Sequence, residues 1–484
     1  MKLFFPISFL AAVAVLSGCA SYEDDAQKLR AEWARGNFAA AAAVAGTALE
    51  ESDGNDRLLW QMERASTLRA LGNAEEASSA FEAAAGTLAH WNETPEILLS
   101  REALAGLTNL SALPYRGRSS DAVMLHAYRA LSFLEAGNSD SARVALNAAY
   151  RAQRDAVERN AENIENARKE ARENAVDVPA ALESSGLDKQ LAQQEKDLAG
   201  VRVLADYVNP FATWLHGVYF LHAGTDGADA ERARVSLSRV AAMYPKNEYV
   251  AADLELASRG VPARDEALTY VVFESGLAPI LGTVRTDTML PIPIGSGNVT
   301  LMPVSIALPK LVLSDARKYW GVFPLVSGQY SQGSAEPAPV PALSANGAPA
   351  LEVCDMNSVV RTEFDNAFPS VLVRTIVPAV LKSAASAAAN AAALEYARRD
   401  GSAGSAASSV YTYASSGADV RCWQTLPQNF SVARVKTPAS RRVSVCVGGR
   451  SRDVALLPGK VNLVCVKTTS EGGPLVVTQS VLRE

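Results

Sequence analysis

The sequence predicts an α+β multidomain protein, helical in its first half and β-rich in its second, and three observations carry this reading. Residues 23–260 are rich in Ala, Leu, Glu and Arg and poor in Pro. Their apolar positions recur every three or four residues, the period of a helix with one buried face. From Ala267 the texture changes to β-branched and aromatic runs, and from Phe430 to the C-terminus short alternating runs are separated by Gly and Pro. The chain has 484 residues, 48% hydrophobic and 20% charged, enough for two or three domains with buried cores. The divisions expected are 1–18, 19–262 and 263–484.

The first element is an export leader. Lys2 is the only charge before Glu23, an apolar run follows it, and the small residues Ser17 and Gly18 precede Cys19. The run is short for a membrane span. Leu16-Ser17-Gly18-Cys19 resembles a lipobox, which implies cleavage after residue 18, a diacylated Cys19 thiol and an acylated amine. Two or more acyl chains hold a protein stably at a membrane. Ala20 and Ser21 follow, with no Asp at position 20. By resemblance to enterobacterial sorting rules, that implies a periplasm-facing outer-membrane lipoprotein.

Four helical segments then share one grammar. The first has Trp33, Gly36, Asn37 and Phe38, then Ala41, Ala45 and Ala48. The second has Leu71, Gly72 and Asn73, then Ala77, Phe81 and Ala84. The third has Gly137 and Asn138, then Ala142, Leu146 and Ala149. The fourth has Trp214, Gly217 and Phe220, then Ala233, Leu237 and Val240. Gly ends one helix in the left-handed conformation, and small residues let the next helix lie close. The pattern resembles the tetratricopeptide repeat, whose helix pairs must stack to bury their apolar faces. In the fourth segment Thr225 to Ala230 lengthen the turn, so a bulge is expected there. Residues 150–206 read as two long helices folded back into an antiparallel coiled-coil arm, with a first seam through Gln153, Val157, Asn160 and Ile164.

In the second half, strands are expected at Tyr270–Glu274, Val299–Leu308 and Trp320–Val326. Residues 328–350, with four prolines, read as an extended loop. Residues 355–400 form a helical insert divided by Pro369 and Pro378, and 401–417 a Gly/Ser/Ala linker. Runs at 430–437, 441–447, 452–457, 461–468 and 474–482 complete a sandwich-like β region. The stretch Asp453 to Val464, centred on Pro458-Gly459, resembles the strand–turn–strand of PEGA-type modules, which places such a module at 430–484. Three strings, Val272 to Gly276, Asp355 to Arg374, and Asp419-Val-Arg421-Cys-Trp423-Gln-Thr-Leu-Pro427, resemble an uncharacterised family of bacterial lipoproteins. That family joins a helical-repeat half to a β-rich half and carries no established activity.

The chemistry is sparse. Cys354, Cys422, Cys446 and Cys465 permit two disulfides in an oxidising compartment, or remain buried thiols. The four His (His90, His126, His216 and His222) lie far in sequence from the cysteines, so no metal site or cofactor is expected. No nucleophile elbow, P-loop or dinucleotide fingerprint is present. Net charge is −6 with no basic block, which argues against nucleic acid. Residues 371–394 come closest to a second membrane span, but Arg374, Pro378 and Lys382 interrupt them. Asp419, Arg421, Trp423 and Arg374 are the candidate ligand or interface residues. Asp419 and Arg421 are expected to clamp the helical insert to the sheet. The expectation is a non-enzymatic, lipid-anchored scaffold or adaptor for envelope proteins, in envelope assembly or cell-wall regulation. The alternative is an envelope-polymer (glycan) binding protein or hydrolase, which needs paired carboxylates in a cleft.

Overall fold

The structure, a computed structural model, describes residues 22–52, 54–94, 111, 113–205, 207–259, 266–294, 298–313, 342–400, 417–470 and 472–484. Cys19 and its leader, the run Trp320–Val326, and parts of the expected loop and linker (328–341 and 401–416) lie outside these residues. The architecture is α+β.

The helical half is built of hairpins: α1 (22–34) with α2 (Phe38–Glu51), α3 (Arg57–Ala70) with α4 (Ala74–Glu93), α5 (Ser119–Glu135) with α6 (Ser139–Glu173), and α9 (Pro210–Ala223) with α10 (Gly227–Met243). Helix α11 (Glu248–Ser258) follows. Three of the turns are the same Gly-Asn device. Gly36, Gly72 and Gly137 have φ of 75°, 82° and 78°. In each, the Gly N–H donates to the carbonyl three residues back and the Asn N–H to the carbonyl five back, which satisfies the helix end. The fourth turn does not bulge as expected. The extra residues instead form the first turn of α10, where Asp226 caps the N–H of Asp229 at 2.8 Å.

The second half is a two-sheet sandwich. One sheet has the order β11-β10-β1-β7-β6, with β1 (Leu268–Ser275), β6 (Leu351–Asp355), β7 (Asn429–Lys436), β10 (Val461–Thr468) and β11 (Val476–Arg483). Strand β1 is central, parallel to β10 and antiparallel to β7. Both its faces are covered, so all eight residues are buried. Leu268, Tyr270 and Val272 face the helices. Val271 and Phe273 face Val443, Val445, Val447 and Val454 of the second sheet. That sheet has the order β5-β4-β8-β9, from β4 (Leu343–Ala345), β5 (Ala348–Pro349), β8 (Arg442–Val447) and β9 (Arg450–Ala455). The layers are therefore helices, five-stranded sheet and four-stranded sheet. One apolar cluster runs from Tyr22 to Leu482 across the first two.

Three expectations change here. Asp453 to Val464 is not a hairpin: β9 pairs with β8 and β10 with β1, so Pro458-Gly459 turns the corner between sheets. Gly459 has φ 150°, and a Cβ there would meet Val481 at 2.5 Å. Residues 343–349 of the expected loop form a tight β4–β5 hairpin, with Asn346 and Gly347 at φ 48° and 79°. The four cysteines are free thiols. Cys446 lies in the four-stranded sheet, whereas Cys465 sits in the helix-facing core with Cys354, so no cross-strand disulfide joins 446 to 465.

A second lobe has its own core. It holds the end of α6, α7 (Val178–Ser185), α8 (Leu187–Leu198), a two-stranded ribbon of β2 (Ile280–Ile294) and β3 (Asn298–Val312), and α12 (Met356–Asp400). Val178, Ala181 and Leu187 pack with Met302, Val304, Ile306, Leu308, Ile376 and Val377. The expected coiled-coil arm is thus corrected. Helix α12, not α8, packs along α6, and the return is broken by Gly186 at φ 70°. Helix α12 continues through Pro369 and Pro378 rather than dividing. Its segment Met356–Ala385 is, among the described residues, the one helix long and apolar enough to cross a membrane, and 44% of that window is buried inside the protein.

Candidate functional site

The inner face of the helix stack is occupied by the protein's own chain. Residues 417–428 cross it as irregular chain with a turn at 424–425, and 421–427 are all buried. A stretch outside any ladder must find other partners for its polar backbone, and the helices supply them. Tyr22 Oη on α1 accepts from the Cys422 N–H at 3.2 Å and lies 3.3 Å from the Cys422 carbonyl. Arg30 donates to the Gln424 carbonyl at 3.2 Å and to the Ala278 carbonyl at 2.9 Å. Glu63 on α3 accepts from the Gln424 N–H and, at 2.7 Å, from the Thr425 hydroxyl. Arg118 donates to the Arg421 carbonyl at 3.1 Å.

This segment holds three of the sequence-expected site residues together. Arg421, 2% exposed, forms ion pairs of 2.8 Å with both Asp419 and Asp56 and stacks on Tyr115. The clamp therefore joins the segment to the start of α3, not to the helical insert. Trp423, also 2% exposed, lies against Phe81 and Tyr128 and donates to Ser66 and Thr425. Arg374 is elsewhere, half-buried on α12 between the two prolines. On the same helix, Arg361 donates to the Leu198 and Val201 carbonyls and so ties α12 to the end of α8.

Sequence reasoning missed the buried charges that bind helices to sheet. Glu274 on β1 accepts from Arg69 at 2.7 Å, Lys467 at 2.6 Å and Tyr128 at 2.8 Å. Arg69 pairs also with Glu135 at 2.8 Å, which accepts from Thr478 at 2.6 Å. Burial works against the Glu274 charge, but Arg69 and Lys467 hold its carboxyl down at about 2. Glu63 shows the opposite balance. Burial pushes it up to about 8 despite its three hydrogen-bond donors, so it is largely protonated at neutral pH. Farther along the sheet, Asp253 accepts from Tyr270 at 2.7 Å and pairs with Arg434 at 2.9 Å, and burial lifts it to about 6. The sequence signal was a lone charge ending an apolar run, as at Glu274 and Lys467.

Among the described residues no group of His, Cys, Asp and Glu could hold a metal ion. Burial pushes His126 and His216 down to about 4 and His222 to about 3, so these imidazoles are neutral at physiological pH. On the outer side, a groove of about 520 Å³ opens between α3 and α4, lined by Gly54, Arg57, Gln61, Gly86, His90 and Trp91 among others. Among the described residues its lining includes no carboxylate.

No family model, curated protein or solved structure matches the chain.

The carboxylates of the inner face are therefore structural in geometry. Glu63 and Glu274 are each enclosed and engaged by a neighbouring side chain, and neither lies in an open cleft. The arrangement locks two layers together.

Proposed function

We propose that the protein is a lipid-anchored, periplasm-facing scaffold or adaptor that binds envelope proteins through the outer surface of its tetratricopeptide-like helices. The observation that carries this reading is the filled inner face. A helical stack usually offers its concave side to a partner, and here residues 417–428 and the five-stranded sheet lie in that place. A partner must then use the outward side, where the α3–α4 groove offers Arg57, His90 and Trp91. The resemblance to a lipoprotein family and the lipobox at Cys19 supply the setting. The glycan-hydrolase alternative gains no support from the buried carboxylates, because no substrate reaches Glu63 or Glu274 without opening the core.

The test is site-specific photocrosslinking in intact envelopes, with the reactive residue at Thr87 in the groove and, as control, at Lys436 on the sheet. A discrete protein adduct at Thr87 alone is expected. Equal adducts at both sites, or release of glycan fragments from purified cell wall by the protein, would overturn the scaffold. Anchoring is tested separately: Cys19→Ala should abolish acyl labelling of the protein.

A further inference from the structure

Strands β2 and β3 pair over fifteen residues each, from Ile280 opposite Val312 to Ile294 opposite Asn298. At a rise of about 3.3 Å per residue the ribbon is roughly 50 Å long. Side chains of paired residues share a face, and successive pairs alternate. One face, with Leu290, Met302, Val304, Ile306 and Leu308, is buried against α7 and α12. The other face is open at Met289, Leu301 and Pro303. Met289 is 51% and Leu301 62% exposed, and Pro303, opposite Met289 in the register, is exposed too.

Two features of the sequence bear on what meets that face. Between Asp287 and Lys310 there is no Asp, Glu, Lys, Arg or His. An exposed ribbon in water ordinarily carries charge to stay soluble and single, and a protein interface ordinarily has a polar, hydrogen-bonding rim. The second feature is Pro291, Pro293, Pro303 and Pro309. Proline is tolerated in a ladder only where its nitrogen faces away from the neighbouring strand. These positions therefore strip N–H donors from the outer edges of the ribbon. They block addition of a partner strand, and they lower the cost of placing the edges in a medium that cannot hydrogen-bond.

We propose that the distal half of the β2–β3 ribbon contacts a lipid bilayer, with Met289, Leu301 and Pro303 at the boundary between headgroups and acyl chains. The contact is apolar rather than electrostatic, because the stretch between Asp287 and Lys310 brings no cation to the surface. It deepens the membrane setting read from Cys19 but does not use the acyl chains, so the two are separable.

The experiment is vesicle flotation of residues 20–484, which carry no acyl group, with phosphatidylcholine vesicles with and without added phosphatidylglycerol. Co-flotation is expected, unchanged by salt or by the anionic lipid. Leu301→Asp should weaken it about tenfold or more. Since Leu301 is exposed, the variant should melt as the parent does, and Leu301→Met should retain binding. Absence of flotation, binding that needs anionic lipid, or full binding by Leu301→Asp would overturn the proposal. So would a dimer in sedimentation that Leu301→Asp splits, which would assign the face to a second copy of the chain. None of these outcomes affects the loss of acyl labelling in Cys19→Ala.

Discussion

Truncating Trp423 tests whether helices and sheet are one cooperative unit. The indole is enclosed by Phe81 of α4 and Tyr128 of α5, with ring centroids at 6.3 and 5.9 Å, and donates to Ser66 at 3.2 Å and Thr425 at 2.9 Å. Removing a buried Trp costs about 3–5 kcal/mol in lost burial and residual cavity. How far that moves the melting temperature depends on the size of the unit that melts. Unfolding entropy is about 2.1 cal/mol/K per residue, so a unit of roughly 460 residues shifts by about 1 °C per kcal/mol. A separate C-terminal unit of roughly 220 residues shifts by about 2 °C per kcal/mol. The shared core predicts that Trp423→Ala lowers a single transition by about 3–5 °C. Helical and aromatic circular dichroism should report the same midpoint. Two transitions in calorimetry, one displaced by about 6–10 °C and a helical one unmoved, would refute the shared core.

Other outcomes follow from the buried charges. Because the folded pKa of Glu63 is raised from 4.5 to about 8, its contribution is fully present below pH 4.5 and is lost as pH rises through 8. Glu63→Gln should therefore gain on the parent between those limits, by an amount on the order of a few kcal/mol; a difference flat with pH in urea melts would sink this. Glu274→Ala leaves Arg69 and Lys467 buried with Glu135 alone and should cost about 3–5 kcal/mol, while Glu274→Leu with Lys467→Met should recover much of the loss. Equal destabilisation by the single and double variants, measured by denaturant titration, would show that the network acts through packing rather than charge.

The helical half was legible because its turns are local. A Gly that must take positive φ, followed by Asn, marks Gly36, Gly72 and Gly137 in the sequence itself. The strand runs after residue 430 were legible for the same reason, and Asn346-Gly347 was an equally local hairpin signal hidden among prolines. What the sequence does not carry is partnership. Gln153 sits on the seam expected for a coiled coil, yet its side chain accepts from the Asn209 N–H at 2.8 Å and links α6 to α9. Pro369 and Pro378 suggest a break in α12, but packing against β3 holds the helix through both. Strand β2 was missed because Pro291 and Pro293 demote it, and those prolines are compatible with a ribbon that has free edges. Asp419, Arg421 and Trp423 lie on one segment and Arg374 apart from them, and only the fold shows that Asp56, Ser66 and Tyr128 surround the three.

The pairing of β1 with β10 sets the order in which the molecule can be completed. Val272 lies opposite Cys465, so the central pair of the sheet joins segments from the middle and the end of the chain. A chain delivered N-terminus first presents its helices with their inner lining still missing, because residues 417–428, β7, β10 and β11 arrive last. Contacts of such separation make closure slow, and the uncovered apolar face is a target for aggregation and for holding chaperones meanwhile. Loss of even the last strand would leave β10 as an open edge beside the Glu274 network. Strand β11 is therefore the keystone of this sheet, and a stop before Val476 should be as damaging as a lesion in the core.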